Sequence, residues 1–289
     1  MLRPLLALFL ALCACSGPGP AEPLPSAWFE SVEPVHIVGP LWDVGTRDLR
    51  VFLLTTPAGH VLIGGAMPAS AHDIEDHIRV LGFDPKDIRI VLPTHAHVDH
   101  AGTLAYFKEL SGARLEAMAG DAPLLESGGA TDFLFADVPP FHFQPVHVDR
   151  ILQDGDTVSL GGITLTSRLT AGHTPGNTTW VMNLEEGERS WSVVIAGSGS
   201  INPGTRLVRD PSYPGILEDY RRALALLEAL QPDIWLAPHA SQCSFEAKRE
   251  RAATEGARAF VDPDGYRAQV AKWKGDLEQT VADQASWPR

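Results

Sequence analysis

Positive charge is in short supply: 23 Lys and Arg stand against 36 Asp and Glu, a formal net charge of −13. No basic patch is present to neutralise phosphates, which argues against nucleic acid as a partner. Cysteine is scarcer, with three in 289 residues, at Cys13, Cys15 and Cys243, so a disulfide framework is not what holds the chain together. Long apolar runs are also missing; the run at residues 5–12 is too short to span a bilayer as a helix. What remains is an ordinary globular composition, 44% hydrophobic and 20% charged, at a length that fits one large α/β domain with room for a core.

Residues 1–14 read as a targeting segment outside the fold, with a basic residue at Arg3, the short apolar run, and then Leu12-Cys13-Ala14-Cys15. This ending resembles a bacterial lipoprotein signal, with cleavage before Cys15 and lipid on its sulfur. Cys13 departs from the usual pattern, and ordinary secretion with cleavage nearby is the alternative. Ser16 after Cys15 points to the outer membrane of a Gram-negative cell. The expected location is therefore the periplasm, with membrane contact only through a lipid anchor at Cys15. Residues 15–27, rich in Pro, Gly and Ala, read as a tether, and residues 28–289 as a single domain. With Cys13 removed and Cys15 acylated, only Cys243 remains and no intrachain disulfide is possible. The core, helped by metal, must then hold the mature protein together.

Strands are expected at residues 50–56 and 60–63 around the turn Pro57-Ala58-Gly59, and at 88–92 and 114–118. Helices are expected from Ser70 to about Leu81, where Gly82 stops the periodicity, at 101–110, and at 121–126. Residues 127–148 read as a long loop bordering a site. The second half repeats the theme. A hairpin turns at Gly161-Gly162, further strands occupy 178–183, 191–196 and 234–237, and an amphipathic helix covers 216–230, with helix again from Phe245. Two such halves suit two sheets packed face to face with helices outside.

The segment Thr94-His95-Ala96-His97-Val98-Asp99-His100 places four metal-capable side chains within six positions, just after an apolar strand. A His-x-His pair on an extended loop can put both imidazoles on one ion, while Asp99 and His100 point to a second. Imidazole nitrogen and carboxylate oxygen suit zinc, and a site short of protein ligands keeps a place for water. A polar loop that happens to be rich in histidine is the bland alternative. Two more histidines sit at strand ends, in Gly172-His173-Thr174-Pro175-Gly176 and Pro238-His239, where they can converge on the same edge.

Taken with Gly120-Asp121-Ala122, Asn177-Thr178-Thr179-Trp180, Ser200-Ile201-Asn202-Pro203-Gly204, Tyr213-Pro214-Gly215, Asp219-Tyr220-Arg221-Arg222 and Ala237-Pro238-His239, the chain resembles the metallo-β-lactamase superfamily, and within it the subclass B3 enzymes, over about residues 42–252. The resemblance implies an αββα four-layer sandwich of the α/β class. It implies two Zn2+ ions, the first held by His95, His97 and His173 and the second by Asp99, His100 and His239. It implies a β-lactam substrate, hydrolysed by a hydroxide bridging the metals, with Asp99 as the catalytic residue that orients it. Relatives acting on lactones or thioesters carry a bridging Asp after the strand at 191–196, and other β-lactamases carry a Cys there. This chain has Gly197-Ser198-Gly199-Ser200, and the resemblance implies that Ser198 and Ser200 hold the substrate carboxylate.

One position departs from the pattern. Where relatives show Asp-Thr-Gly, this chain has Gly64-Gly65-Ala66. That Asp braces the histidine loop in relatives, so this chain is expected to bind zinc more weakly or to work more slowly, and Gly64→Asp to tighten zinc retention under chelator. His36, His60, His72, His77, His142 and His147 lack a clustered setting, although His142 and His147 border the long loop. Cys243 is expected to pack beneath the loop that carries His239. Lactone or thioester hydrolysis, and zinc binding without catalysis, are the other functional readings.

Overall fold

The structure, a computed structural model, describes residues 24–286. The expected signal segment and Cys15 lie outside these residues. From the last part of the expected tether, Leu24 packs against the hydrophobic core, as does Trp28 at the start of the expected domain.

Twelve strands form two sheets, one from each half of the described chain. The first sheet runs in chain order: β1 (Val35–Val38), β2 (Leu41–Asp43), β3 (Phe52–Thr56), β4 (Gly59–Ile63), β5 (Ile88–Leu92), β6 (Arg114–Met118) and β7 (Arg150–Leu152). Its first four strands are antiparallel neighbours, and pairing from β4 to β7 is parallel. The second sheet has the order β12 (Ile234–Leu236), β11 (Arg189–Ile195), β10 (Thr178–Glu186), β9 (Ile163–Leu169) and β8 (Thr157–Leu160). Only β11 and β12 pair in parallel there.

The two-residue period of the strands divides the core in two. Phe52, Leu54, Val61, Ile63, Ile90 and Leu92 face the second sheet, where they meet Leu165, Trp180, Met182 and Val193. Val51, Leu53, Leu62 and Val91 point the other way. They are covered by α1 (Ala71–Val80), α3 (Leu104–Ser111) and α4 (Ala122–Ser127), through Ile74, Ile78, Leu104, Phe107 and Leu125. The outer side of the second sheet carries α5 (Ile216–Ala229), α6 (Phe245–Glu255) and α7 (Pro263–Ala285). In α5 the buried residues Ile216, Tyr220, Ala223, Leu224 and Leu227 recur at helical spacing, so one stripe faces the sheet. The layers are therefore helix, sheet, sheet, helix, the expected four-layer αββα sandwich.

The helix expected at 101–110 is split. A single turn, α2 (Val98–Ala101), precedes α3. Gly102 lies at the break, where an added Cβ would stand 2.5 Å from Pro68 and 2.6 Å from the Ala66 carbonyl oxygen. That close approach requires glycine at this position, which side-chain periodicity does not record.

Candidate metal centre

Three strand-end loops build the site at one rim of the sandwich. The first follows β5. His97 has extended backbone and ends the loop, so Asp99 and His100 ride on the single turn α2 while His95 and His97 precede it. Thr178 donates its backbone N–H to the Thr94 carbonyl at 2.7 Å, and the Trp180 indole donates to the Pro93 carbonyl at 3.0 Å. The second sheet thus grips the root of the histidine loop directly.

The second loop joins β9 to β10 and carries His173. Gly172 before it has φ +141°, and a Cβ there would meet the Tyr220 ring at 2.7 Å. The first and second loops are clasped by Asp121, the residue ahead of α4. Its carboxylate accepts from Ala96 N at 2.9 Å, Thr174 Oγ1 at 2.9 Å and Gly176 N at 2.7 Å. Burial pushes the Asp121 carboxyl up to about 6 against those three hydrogen bonds. Asp121 thus braces the histidine loop, and it belongs to the Gly120-Asp121-Ala122 motif that carries the resemblance. Gly64 itself has φ +82°, a backbone that disfavours Asp, with the Arg50 carbonyl oxygen 3.2 Å from a built Cβ.

His239 follows β12. Its Nδ1 donates to Asp48 Oδ2 at 2.9 Å, and Ala240 N donates to the Asp48 carbonyl at 2.8 Å. Its Nε2 lies 3.0 Å from His100 Nε2 and 3.5 Å from Asp99 Oδ2, and Asp99 Oδ2 is 3.3 Å from His100 Nε2. His95, His97 and His173 form a neighbouring group whose ligand atoms lie within 4.8 Å of one another; His95, Asp99 and His100 satisfy the same limit. The structure therefore brings all six sequence-predicted side chains together as two adjoining clusters, with His95 close to both.

These donors fit a cation. The imidazoles of His95, His97, His100 and His173 are buried and crowd together, with ring centroids 4.4–5.1 Å apart. Burial, with His100, His173 and His97 nearby, holds His95 well below the ordinary imidazole range. Burial and His97 lower His173 to about 3, and burial also lowers His100. These rings are thus neutral and offer lone pairs at pH 7. Burial opposes ionisation of Asp99, but His100 and His239 beside it hold the carboxyl well below its usual value. His239 differs. Burial acts to lower it, but Asp48 and Asp99 outweigh that and raise it to about 9.

Ser198 and Ser200 border the same cleft. Asn177 holds the first serine at both ends, donating to the Ser198 carbonyl and accepting from its N–H, each at 3.0 Å. The two serine hydroxyls are 2.8 Å apart, and the Ser200 carbonyl accepts from His173 Nδ1 at 2.8 Å and from Tyr220 OH at 2.9 Å. The cavity at the centre measures about 140 Å³. Its walls are the ligand cluster, the two serines with Asn202, and three aromatics, Trp28, Phe135 and Phe141. A larger apolar groove of about 470 Å³ lies between α5 and α7, but it gathers no metal-capable cluster, and we place the chemistry at the smaller cavity.

Sequence reasoning missed several residues that shape this centre. Asp48 orients His239, and Asp132 Oδ2 lies 3.4 Å from His97 Nε2. Trp28 packs 5.8 Å from the His239 ring, and Phe135 lies 5.2 Å from the ring of His97. A lone acid or aromatic far from the histidines carries no sequence signal. His142 turns to the Ala136 carbonyl and His147 to Glu126, and neither lines the cavity. Cys243 is free and fully buried, its thiol pushed up to about 11 by burial.

The sequence profile of the metallo-beta-lactamase superfamily matches residues 48–239. Among solved structures, the chain is similar to BJP-1, a subclass B3 metallo-beta-lactamase of Bradyrhizobium japonicum, at 35% identity and TM-score 0.84, over 90% of this chain and 97% of that one. It is similar to FEZ-1 of Legionella gormanii at 36% identity and TM-score 0.87, over 89% and 98%. It is also similar to LRA-12, a class B3 di-zinc metallo-beta-lactamase from an Alaskan soil metagenome, at 34% identity and TM-score 0.86, over 89% and 97%. Curated relatives match over less of their length. The N-acyl homoserine lactonase AttM of Agrobacterium fabrum is 30% identical over 46% of this chain and 59% of that protein. A probable metallo-hydrolase of Burkholderia pseudomallei is 31% identical over 41% and 38%.

Proposed function

The chain belongs to the metallo-beta-lactamase superfamily, and we propose that it is a zinc-dependent enzyme that hydrolyses the β-lactam amide bond. The observation that carries this reading is the pairing of a six-residue ligand cluster with Ser198 and Ser200 at the position where lactone- and thioester-cleaving relatives place a bridging carboxylate. His95, His97 and His173 would hold one zinc, and Asp99, His100 and His239 the other. When bound, zinc acidifies water to a near-neutral pKa and polarises a carbonyl oxygen.

The rest falls to this chain's own side chains. Asp99, kept ionised in a buried setting, accepts a hydrogen bond from the attacking water and orients it. The paired hydroxyls of Ser198 and Ser200 are free to turn outward as donors to the carboxylate beside a β-lactam ring. Trp28, Phe135 and Phe141 line the opposite side and exclude solvent from the reacting ring. A cavity of about 140 Å³ takes that ring rather than a whole drug. The serines are not nucleophiles, and no covalent acyl intermediate is required.

Turnover of a chromogenic cephalosporin, lost on chelation and restored by zinc, is the expected result. The 30% identity to a lactonase supports a second reading, hydrolysis of an N-acyl homoserine lactone. Lactone turnover without β-lactam turnover would establish it instead, and bound zinc with no turnover of either would leave a binding protein. The periplasmic, lipid-anchored location is part of the proposal. Palmitate labelling that is lost in Cys15→Ala tests it.

A further inference from the structure

Two buried polar atoms in the metal centre have no hydrogen-bond partner beyond each other. They are His97 Nε2 and Asp132 Oδ2, 3.4 Å apart, on residues that are 6% and 4% exposed. Leaving a buried donor or acceptor without a partner is costly. Both are satisfied together only if the imidazole carries its proton on Nε2 and gives it to the carboxylate. The other Asp132 oxygen is already committed: Oδ1 accepts from Leu134 N at 2.7 Å and Phe135 N at 2.8 Å. That turn sets the Phe135 ring 5.2 Å from His97, and Phe141 stacks on Phe135 at 4.7 Å.

Accordingly, we propose that Asp132 is a positioning residue that couples metal retention at His97 to closure of the aromatic wall over the cavity. One carboxylate oxygen fixes the His97 tautomer and leaves Nδ1 as the lone pair available to a cation. The other oxygen fixes the turn that carries Phe135. The carboxylate cannot shift toward either partner without leaving the other. Loading the metal, which pins His97, therefore also pins the turn; losing the turn frees His97. This rests on the reading that the cluster holds zinc, but not on the identity of the substrate.

Asp132→Asn separates the two roles. If its amide nitrogen faces His97, two donors oppose each other and the ring must move its proton to Nδ1. If the amide rotates, Leu134 N and Phe135 N lose their acceptor. Asp132→Ser keeps a short acceptor for the turn but does not reach His97. Removing such a partner typically costs about 10–100-fold in metal affinity. We expect both variants to lose that much affinity for one of two zinc ions in competition with a chromophoric chelator, while Asp137→Asn, an acid elsewhere on the loop, stays within twofold. Amide exchange on the unmutated protein gives a measurement that no folding defect can confuse. Protection of Leu134 and Phe135 should rise at least tenfold on zinc loading. Variants that fold and hold zinc as tightly as the parent, or amides equally protected with and without zinc, overturn the proposal. A parent protein that takes up no zinc overturns it together with the proposed function. Variants that lose zinc from a parent without β-lactam turnover support it while removing the substrate assignment.

Discussion

The two cations should load with different pH dependence, because the second cluster contains a ligand, His239, that is protonated at neutral pH. His239 is raised to about 9, with Asp48 and Asp99 overcoming the effect of burial, so at pH 7 it carries a proton that must leave before its Nε2 can bind a metal. The sign follows directly. Affinity for the second ion falls as pH drops below 9, by one decade per unit, because one proton is displaced. Two units below that value the penalty is about 100-fold, or ~2.7 kcal/mol. In the first cluster His95 is held well below the ordinary value and His173 lies at about 3, so both are neutral throughout the range. Zinc titrations against a competing chelator at pH 6, 7 and 8 should show one constant that rises about tenfold per unit and one that rises less steeply. Calorimetry in two buffers of different ionisation enthalpy should count about one proton released with the second ion. Equal slopes for both ions, or no proton release, would refute the assignment of the proton to His239.

Further outcomes follow from the same geometry. Asp48→Asn removes the group that both orients and charges His239, so affinity for the second ion should drop about 10–100-fold at pH 9, and the pH slope in the same titration should flatten. Gly64→Asp should lower stability by about 1–3 kcal/mol in urea unfolding, because φ is +82° there. Ser198→Ala and Ser200→Ala should each raise KM for a β-lactam about tenfold with kcat little changed, the loss of ~1.5 kcal/mol from a hydrogen bond to a charged group. Cys243 should resist a thiol reagent at pH 8 until the protein is unfolded, because burial moves its thiol up to about 11 and leaves almost no thiolate.

Much of the framework is written in short-range pattern. Strands β5, β6, β8 and β9 fall where alternation or an apolar run places them, and α5 follows its buried stripe. The strands that escape notice, β1, β2 and β7, are three or four residues long with mixed burial, too short for a period to emerge. The ligands were legible because four of the six crowd into one segment, and the other two follow strands beside Gly and Pro. Their supports were not. Asp48 meets His239 across 191 positions, and Asp132 precedes an irregular stretch in which an acid is unremarkable. Gly64 shows the converse. Position 64 offers no carboxylate, and only the fold shows how Asp121, ahead of α4, reaches the histidine loop.

Trp180 is wholly buried between the sheets, yet its indole nitrogen ends on the carbonyl of Pro93, two residues ahead of His95. A side chain that any stability survey would count as filler is thus wired to the loop that does the chemistry. Trp180→Phe, which preserves most of the bulk and discards one N–H, should separate the two duties: melting changes little, while the grip on zinc slackens.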